Sequence, residues 1–341
     1  MRFGAHYLVT YVPELDGPTE VLYQHLFEQI ELLDQLGFDD AWVTEHHFAE
    51  YGGTISHPPT FLAAAARTTQ RIHLGVAISV VPMHNPLQLA ESYAMVDVVS
   101  NGRLELGIGR GNAPHEFSGM GVRFDDSVPR IREATQVIQQ AWSGKPVTFH
   151  GEVFDYEDVR VFPTPVQRPH PPIWVAASRS DDSYRWAGWN GFNLMILPHA
   201  FDPAVLQEHL GMYRDALIER GHDPARREIL GKFHVYMAER DADARRDAAT
   251  YLANYSASNR GNPSRRPATA MDGYNAERQQ LIAGEPDRCA DLIHEWCERA
   301  GLTAFSATLF FGGMPQKLAL NNIRLFAEHV IPTFEPTPAR A

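Results

Sequence analysis

At 341 residues with 44% hydrophobic side chains, the chain carries enough apolar material for one large domain or two ordinary ones, and a single α/β barrel with insertions also fits. A formal net charge of −12 without any basic run argues against nucleic acid or an anionic membrane surface as partner, because both select clustered Lys and Arg. No uninterrupted apolar run reaches transmembrane length, and Met1-Arg2-Phe3-Gly4 leads straight into a strand pattern without a basic-then-apolar leader.

Arg2–Thr10 reads as a strand and Thr19–Gly37 as an amphipathic helix, with Leu22, Leu26, Ile30, Leu33 and Leu36 at helical spacing and Gly37 as its stop. Asp39–Thr44 is a second strand that discharges into Glu45, His46, His47 and Phe48. Pro58-Pro59 opens a helix over Thr60–Thr69, and strand His73–Val81 is followed by helix Pro86–Ser100. Strand Leu104–Gly109 runs into Arg110-Gly111-Asn112, then helix Ser127–Ser143. Val147–His150 and Val153–Tyr156 flank Gly151 as a small hairpin, and Pro163–Pro172 is a connector. Three further βα units follow: Ile173–Ala177 with Asp181–Trp189, Phe192–Ile196 with Pro203–Gly221, and Glu228–Ala238 with Asp241–Tyr255. The polar stretch 256–284 breaks the rhythm and reads as a lid-like insertion. Helix Pro286–Ala300 precedes the last pair, Ala304–Phe310 and Pro315–Val330. Cys289 and Cys297 stand about 12 Å apart along that predicted helix, beyond the roughly 7 Å Cα reach of a disulfide. Two buried thiols and a reducing, cytoplasmic setting are expected.

Eight strands each followed by a helix imply a single (β/α)8 barrel of class α/β over residues 1–334. A hairpin insertion at about 145–157 follows the fourth strand, the insertion at about 256–284 follows the seventh helix, and 335–341 is a tail. An open doubly wound sheet would want a Gly-x-Gly-x-x-Gly turn, and Gly107-Ile108-Gly109-Arg110-Gly111 has the wrong spacing. In a barrel the chemistry gathers at the C-terminal strand ends. Here those ends offer Glu45, His46 and His47; Ser79 and Pro82-Met83-His84-Asn85; Arg110 and Asn112; Ser178, Arg179 and Ser180; and His199. Histidines beside a carboxylate exchange protons near neutrality. A guanidinium, hydroxyls and a helix N-terminus suit a phosphate. The plainer alternatives are an inter-loop salt bridge for Arg110 and simple N-capping for Ser180. Val76-Ala77-Ile78 would let a flat ring lie against the mouth. Phe48, Tyr51, His6, Tyr7, Tyr11, Met195 and Phe311 are candidates for an apolar substrate pocket. A metal held by Glu45, His46 and His47 is not expected, because adjacent side chains of an extended segment point apart.

Glu45-His46-His47-Phe48 after a strand, Gly102-Arg103-Leu104 through Gly109-Arg110-Gly111, and Pro172-Ile173-Trp174-Val175-Ala176-Ala177-Ser178 together resemble the bacterial luciferase-like flavin monooxygenases, over Arg2 to about Phe334. The resemblance implies reduced FMN supplied by a separate NAD(P)H-dependent flavin reductase, O2, and oxygenation of a small organic substrate through a flavin C4a-peroxide. It implies a catalytic role for His46 supported by His47 and Glu45, a ring contact at Ala77, and phosphate binding by Arg110, Asn112 and the Ser178–Ser180 turn. That turn is one residue longer than the family's, which leaves the phosphate contact open among Ser178, Arg179, Ser180 and Ser183. Gly109 stands where light-emitting members carry cysteine, so light emission is not implied. A homodimer through the second and third predicted helices is. An F420-dependent hydride-transfer enzyme of the same fold and a non-catalytic flavin-binding protein are the rival readings.

Overall fold

The computed structural model describes residues 1–260 and 281–335. In chain order it runs β1 (Arg2–Tyr7), α1 (Pro13–Asp16), α2 (Thr19–Leu36), β2 (Asp40–Val43), α3 (Pro58–Thr68), β3 (His73–Ser79), α4 (Pro86–Val99), β4 (Leu104–Ile108), α5 (Pro114–Gly119) and α6 (Ser127–Trp142). A hairpin of β5 (Val147–His150) and β6 (Asp155–Val159) precedes β7 (Ile173–Ala176), α7 (Asp181–Trp189), β8 (Asn193–Ile196), α8 (Pro203–Glu219), β9 (Ile229–Met237) and α9 (Asp241–Arg260). Then come β10 (Leu281–Gly284), α10 (Pro286–Ala300), β11 (Ala304–Thr308) and α11 (Gln316–His329).

β1, β2, β3, β4, β7, β8, β9 and β11 pair in that order, all parallel, and β11 closes onto β1. The result is the expected closed eight-stranded (β/α)8 barrel. Helices cover it because each presents one apolar face: in α2, Leu22, Leu26, Ile30 and Leu33 are buried, and Gly37, in the left-handed region at φ 92°, donates its N–H to Leu33 and ends the helix.

Strand alternation sorts the core into two layers. Phe3, Ala5 and Tyr7 of β1 join the large cluster beneath the helices, while Trp42, Trp174, Met195, Leu230 and Ala304 fill the barrel interior. Tyr7 therefore faces the helix layer and not the mouth. Trp42 and Trp174 meet edge to face at 5.4 Å and 79°. Gly75 makes the room, since a Cβ there would stand 2.2 Å from Trp42 Cε3.

The N-terminal pole is closed by charge. Buried Arg2 pairs with Asp40, with Glu105 at 3.3 Å and with Glu228 at 3.0 Å, and Trp174 Nε1 donates to Glu105 at 2.7 Å.

Several details depart from the sequence pattern, the short helices α1 and α5 among them, which it does not predict. α9 continues past Tyr255 to Arg260, and β10 adds a parallel strand beside β9. β8 pairs with Ile229–Gly231 at the start of the long β9, and β10 takes the edge thus left free, pairing with His234–Met237. The stretch 256–284 is accordingly helical to 260 and a strand from 281; 261–280 lie outside the described residues, as do 336–341 of the tail.

Candidate active site

All eight barrel strands are parallel, so their C-terminal ends share one pole, and every polar strand end singled out in the sequence lies on that rim. The Glu45-His46-His47 run splits there between two buried carboxylates. Glu45, 3% exposed, accepts from Ser79 Oγ, the Val80 N–H and His47 Nε2, each at 3.0 Å, and from His84 Nε2 at 2.5 Å. It ties the end of β2 to the end of β3. Burial alone would raise its pKa, but the hydrogen bonds from His47 and His84 and their charge outweigh burial and hold the carboxyl well below its ordinary range. His84 responds in the opposite sense: burial disfavours its charged form, while the hydrogen bond to Glu45 and that charge raise its pKa above the ordinary value.

His46 turns the other way. Its Nδ1 lies 3.0 Å from Glu116 Oε1, which also accepts the His47 backbone N–H at 3.0 Å. Glu116 sits on α5 and is 2% exposed. An ionised carboxylate only accepts, so Nδ1 carries the hydrogen and Nε2 is the nitrogen left to exchange a proton. Gly52, at φ 74°, lets the backbone close on the ring; a Cβ there would lie 2.5 Å from His46 Cδ2. The arrangement is a partly exposed imidazole oriented by a buried acid, the usual build of a general base and its orienter.

Among the described residues, the three groups that come together with metal-ligand spacing are Glu45, His47 and His84, their ligand atoms within 4.8 Å of one another, and not the Glu45, His46 and His47 considered from sequence. Both imidazole Nε2 atoms lie against the same Glu45 oxygen, His47 at 3.0 Å and His84 at 2.5 Å.

β3, the neighbour of β2, ends in small and aliphatic residues. Ala77 and Ile78 are partly exposed at the end of β3, where the peptide between them is cis and the register with β4 shifts between Val76 and Ser79. Ala176 is exposed at the end of β7. β4 and β7 are neighbours, which sets Arg110 and Asn112 beside the Ser178–Ser180 turn, all exposed. Among the described residues Arg110 makes no ion pair; its guanidinium lies 5.5 Å from the Phe124 ring, so the inter-loop salt bridge does not form. Ser180 does not cap α7 with its side chain either. The two acids of the first turn are drawn aside, Asp181 to His209 at 3.1 Å and Asp182 to Arg132 at 2.5 Å. An uncapped helix N-terminus, a guanidinium and hydroxyls suit a phosphate, and the small-residue floor suits a planar ring. The donor set therefore fits a flat ring that carries a phosphate.

Of the pocket candidates, Phe48 is exposed, Tyr51 bonds Tyr255 hydroxyl to hydroxyl at 2.7 Å, and Phe311 packs 4.9 Å from His234. Glu116 and Lys232 carry no flag in the sequence pattern. Lys232 had a signal: with His234 it breaks the apolar run on one face of the seventh predicted strand.

Fold and rim define a parallel barrel whose polar strand ends gather at the C-terminal pole. The chain belongs to the luciferase-like monooxygenase family, whose model matches residues 1–304. It is 33% identical over 226 residues to the oxygenase component of a flavin-dependent trigonelline monooxygenase from Acinetobacter baylyi, a match covering 65% of this chain and 61%, under two thirds, of that protein. It is 28% identical to the 4-hydroxyprotoasukamycin monooxygenase of Streptomyces nodosus subsp. asukaensis, over 98% of this chain and 92% of the other. The crystal structure of the monooxygenase RslO1 from Streptomyces bottropensis superposes with a TM-score of 0.90 at 30% identity, covering 98% and 99% of the two chains. At 20% identity, the oxygenating constituent of 3,6-diketocamphane monooxygenase from Pseudomonas putida in complex with FMN (TM-score 0.78, covering 98% and 99%) and the F420-dependent tetrahydromethanopterin reductase of Methanopyrus kandleri (0.73, covering 98% and 99%) share the fold.

Proposed function

We propose that this chain is the oxygenating component of a two-component monooxygenase, using reduced FMN from a separate NAD(P)H-dependent flavin reductase, and O2, to oxygenate a small organic substrate. The observation that carries the reading is the single rim on which the His46–Glu116 pair, the Ala77 floor and the Arg110–Ser178 cradle converge. The Acinetobacter relative is an oxygenase component, which supports the division of labour.

Arg110, Asn112, Ser178, Arg179 and Ser180 bind the phosphate with the N-terminus of α7, and Ala77 backs the ring. Bound reduced flavin supplies the electrons that activate O2. His46 moves a proton through Nε2, with Glu116 fixing its orientation. His47 and Glu45 hold the loop that carries it, and their network with His84 sets where His46 stands. Exposed Met95, Val98 and Val99 on α4 support a homodimer through the α3–α4 side. Buried free Cys289 and Cys297 support a reducing, cytoplasmic setting. Among the described residues no helix is long and apolar enough to cross a membrane.

The test is turnover of a panel of terpenes, aldehydes and aromatic acids with FMN, NADH, an added flavin reductase and air, read by mass spectrometry. A product heavier by one oxygen atom that requires both chain and FMN is expected. Hydride exchange with F420 but no oxygenation would move the chain to the F420-dependent alternative, and tight flavin binding without any product would leave a flavin-binding protein.

A further inference from the structure

The mouth holds a second polar cluster that the chemistry assigned to His46 does not use. Lys232 is one of only three lysines in the chain. Lys145 and Lys317 are exposed, while Lys232, on β9, is 6% exposed. Alternation fixes its direction. Leu230, two residues earlier, packs in the barrel interior with Trp42 and Trp174, so Lys232 and then His234 follow it up the inner face toward the reactive pole. On β11, Ser306 is level with Lys232 and Thr308 with His234. Ala307 is level with Ala5, which brings Thr308 alongside His6 of β1. His199, after β8, completes the group: burial first, and then the charge of Lys232, keeps His6, His199 and His234 uncharged.

This cluster is incomplete as a piece of core. Among the described residues Lys232 has no carboxylate partner; the buried acids of the barrel are engaged elsewhere, Asp40 and Glu105 with Arg2, Glu45 with His47 and His84, Glu116 with His46. Ser306 Oγ, Thr308 Oγ1 and His6 Nδ1 are buried without a hydrogen-bond partner among the same residues. Native interiors rarely leave such groups unmet in one place, and a buried ammonium without counter-charge is costlier than any of them. Burial pulls the Lys232 ammonium down to about 7.

We propose that Lys232 is the counter-ion for an anionic oxygen of the organic substrate, a carboxylate, phenolate or enolate, with His6, Ser306 and Thr308 completing its hydrogen bonds. The proposal rests on the oxygenase reading above and narrows its substrate class. A reduced flavin ring also carries negative charge, but position favours the substrate. β9 lies diametrically across the barrel from β3, with β11, β1 and β2 between them on one side and β8, β7 and β4 on the other. Ala77, the ring contact, is on β3. An anion placed between them meets Lys232 on one side and the ring on the other.

Three lysines make the test direct. In protein labelled with 13C at lysine Cε, the resonance missing from K232M is followed against pH, alone and with benzoate or neutral benzamide as probes. That resonance is expected to titrate near neutrality and its midpoint to rise by about one unit or more in benzoate but not in benzamide. K232M should bind benzoate about tenfold or more weakly while FMN affinity, read by flavin fluorescence, is unchanged. An ordinary lysine midpoint, equal responses to the two probes, or weakened FMN binding in K232M each overturns the proposal, the last by assigning Lys232 to the flavin. Failure of the wild type to bind any flavin sinks the oxygenase reading instead and leaves the lysine titration as its own answer.

Discussion

Both poles of this barrel bury ionisable groups, and they treat them in opposite ways. At the N-terminal pole Arg2 is matched by Asp40, Glu105 and Glu228, and the Trp174 N–H takes up part of Glu105's remaining capacity. At the C-terminal pole the acids are divided between histidines, and Lys232 faces three imidazoles and no acid among the described residues. Burial alone therefore does not mark a functional group. A charge whose partners are all supplied by the fold stabilises the fold; a charge left without one leaves room for a ligand to complete it.

The largest effect expected from this contrast is catalytic. His46→Ala should lower oxygenation turnover by about 10²- to 10⁴-fold, the usual contribution of a general acid–base group. FMN affinity should stay within a few-fold, because the proposed phosphate cradle lies after β4 and β7 and the proposed ring contact on β3. Glu116→Gln keeps a side chain of the same shape beside Nδ1 and should lose less. Single-turnover oxygenation with preformed reduced FMN separates the two effects, and a His46→Ala enzyme with wild-type turnover would place the proton chemistry elsewhere.

The opposite pole gives the next largest effect and the opposite signature. Arg2→Met strands Asp40 and Glu105 in the interior and should cost about 3–5 kcal/mol of folding stability, the range for breaking one side of a buried ion pair. Urea unfolding measures it. The folded fraction should bind FMN as the wild type does. Equal loss of flavin affinity and stability would mean that the poles are coupled, and the comparison would fail.

How much of this was legible follows from where each signal lives. The barrel strands announce themselves locally, each by a short apolar run followed by its own helical periodicity, as in Asp40–Val43 or Leu104–Ile108. β10 does not: Leu281–Gly284 is a four-residue strand at the end of a polar stretch, and it exists only because β9 outruns β8. The rim residues His46, Arg110 and Ser178 were readable because barrel topology puts strand ends on one pole. Their partners were not. Glu116 lies 70 positions from His46, and His84 39 from Glu45, so only the closed sheet brings them into contact. Lys232 was hidden differently, inside a strand whose nine residues are all buried, where one cation among apolar neighbours reads as noise until the inner face is known.

The smallest expected effect tests whether Glu45 belongs with the reactive pole's chemistry or with its scaffolding. Its folded pKa is depressed, so its contribution to stability is present above the unfolded value near 4.5 and is lost as pH falls toward the folded one. The folded pKa of His84 is raised, so its contribution is full below the unfolded value of 6.5 and is lost as pH rises through the folded one. The pair is therefore strongest between these limits, and the part owed to His84, roughly 1.5–3 kcal/mol for a hydrogen bond to a charged group, should fade as pH rises above the unfolded value of 6.5 and through the raised folded one. Urea midpoints taken from pH 5 to 9 should decline on the alkaline side in the wild type and lose that component in His84→Gln. Turnover of His84→Gln, compared with His46→Ala, then decides the assignment. A modest loss that tracks stability makes Glu45 a scaffold for the loop that carries His46, whereas a loss as deep as that of His46→Ala would make the Glu45–His84 pair part of the proton path itself.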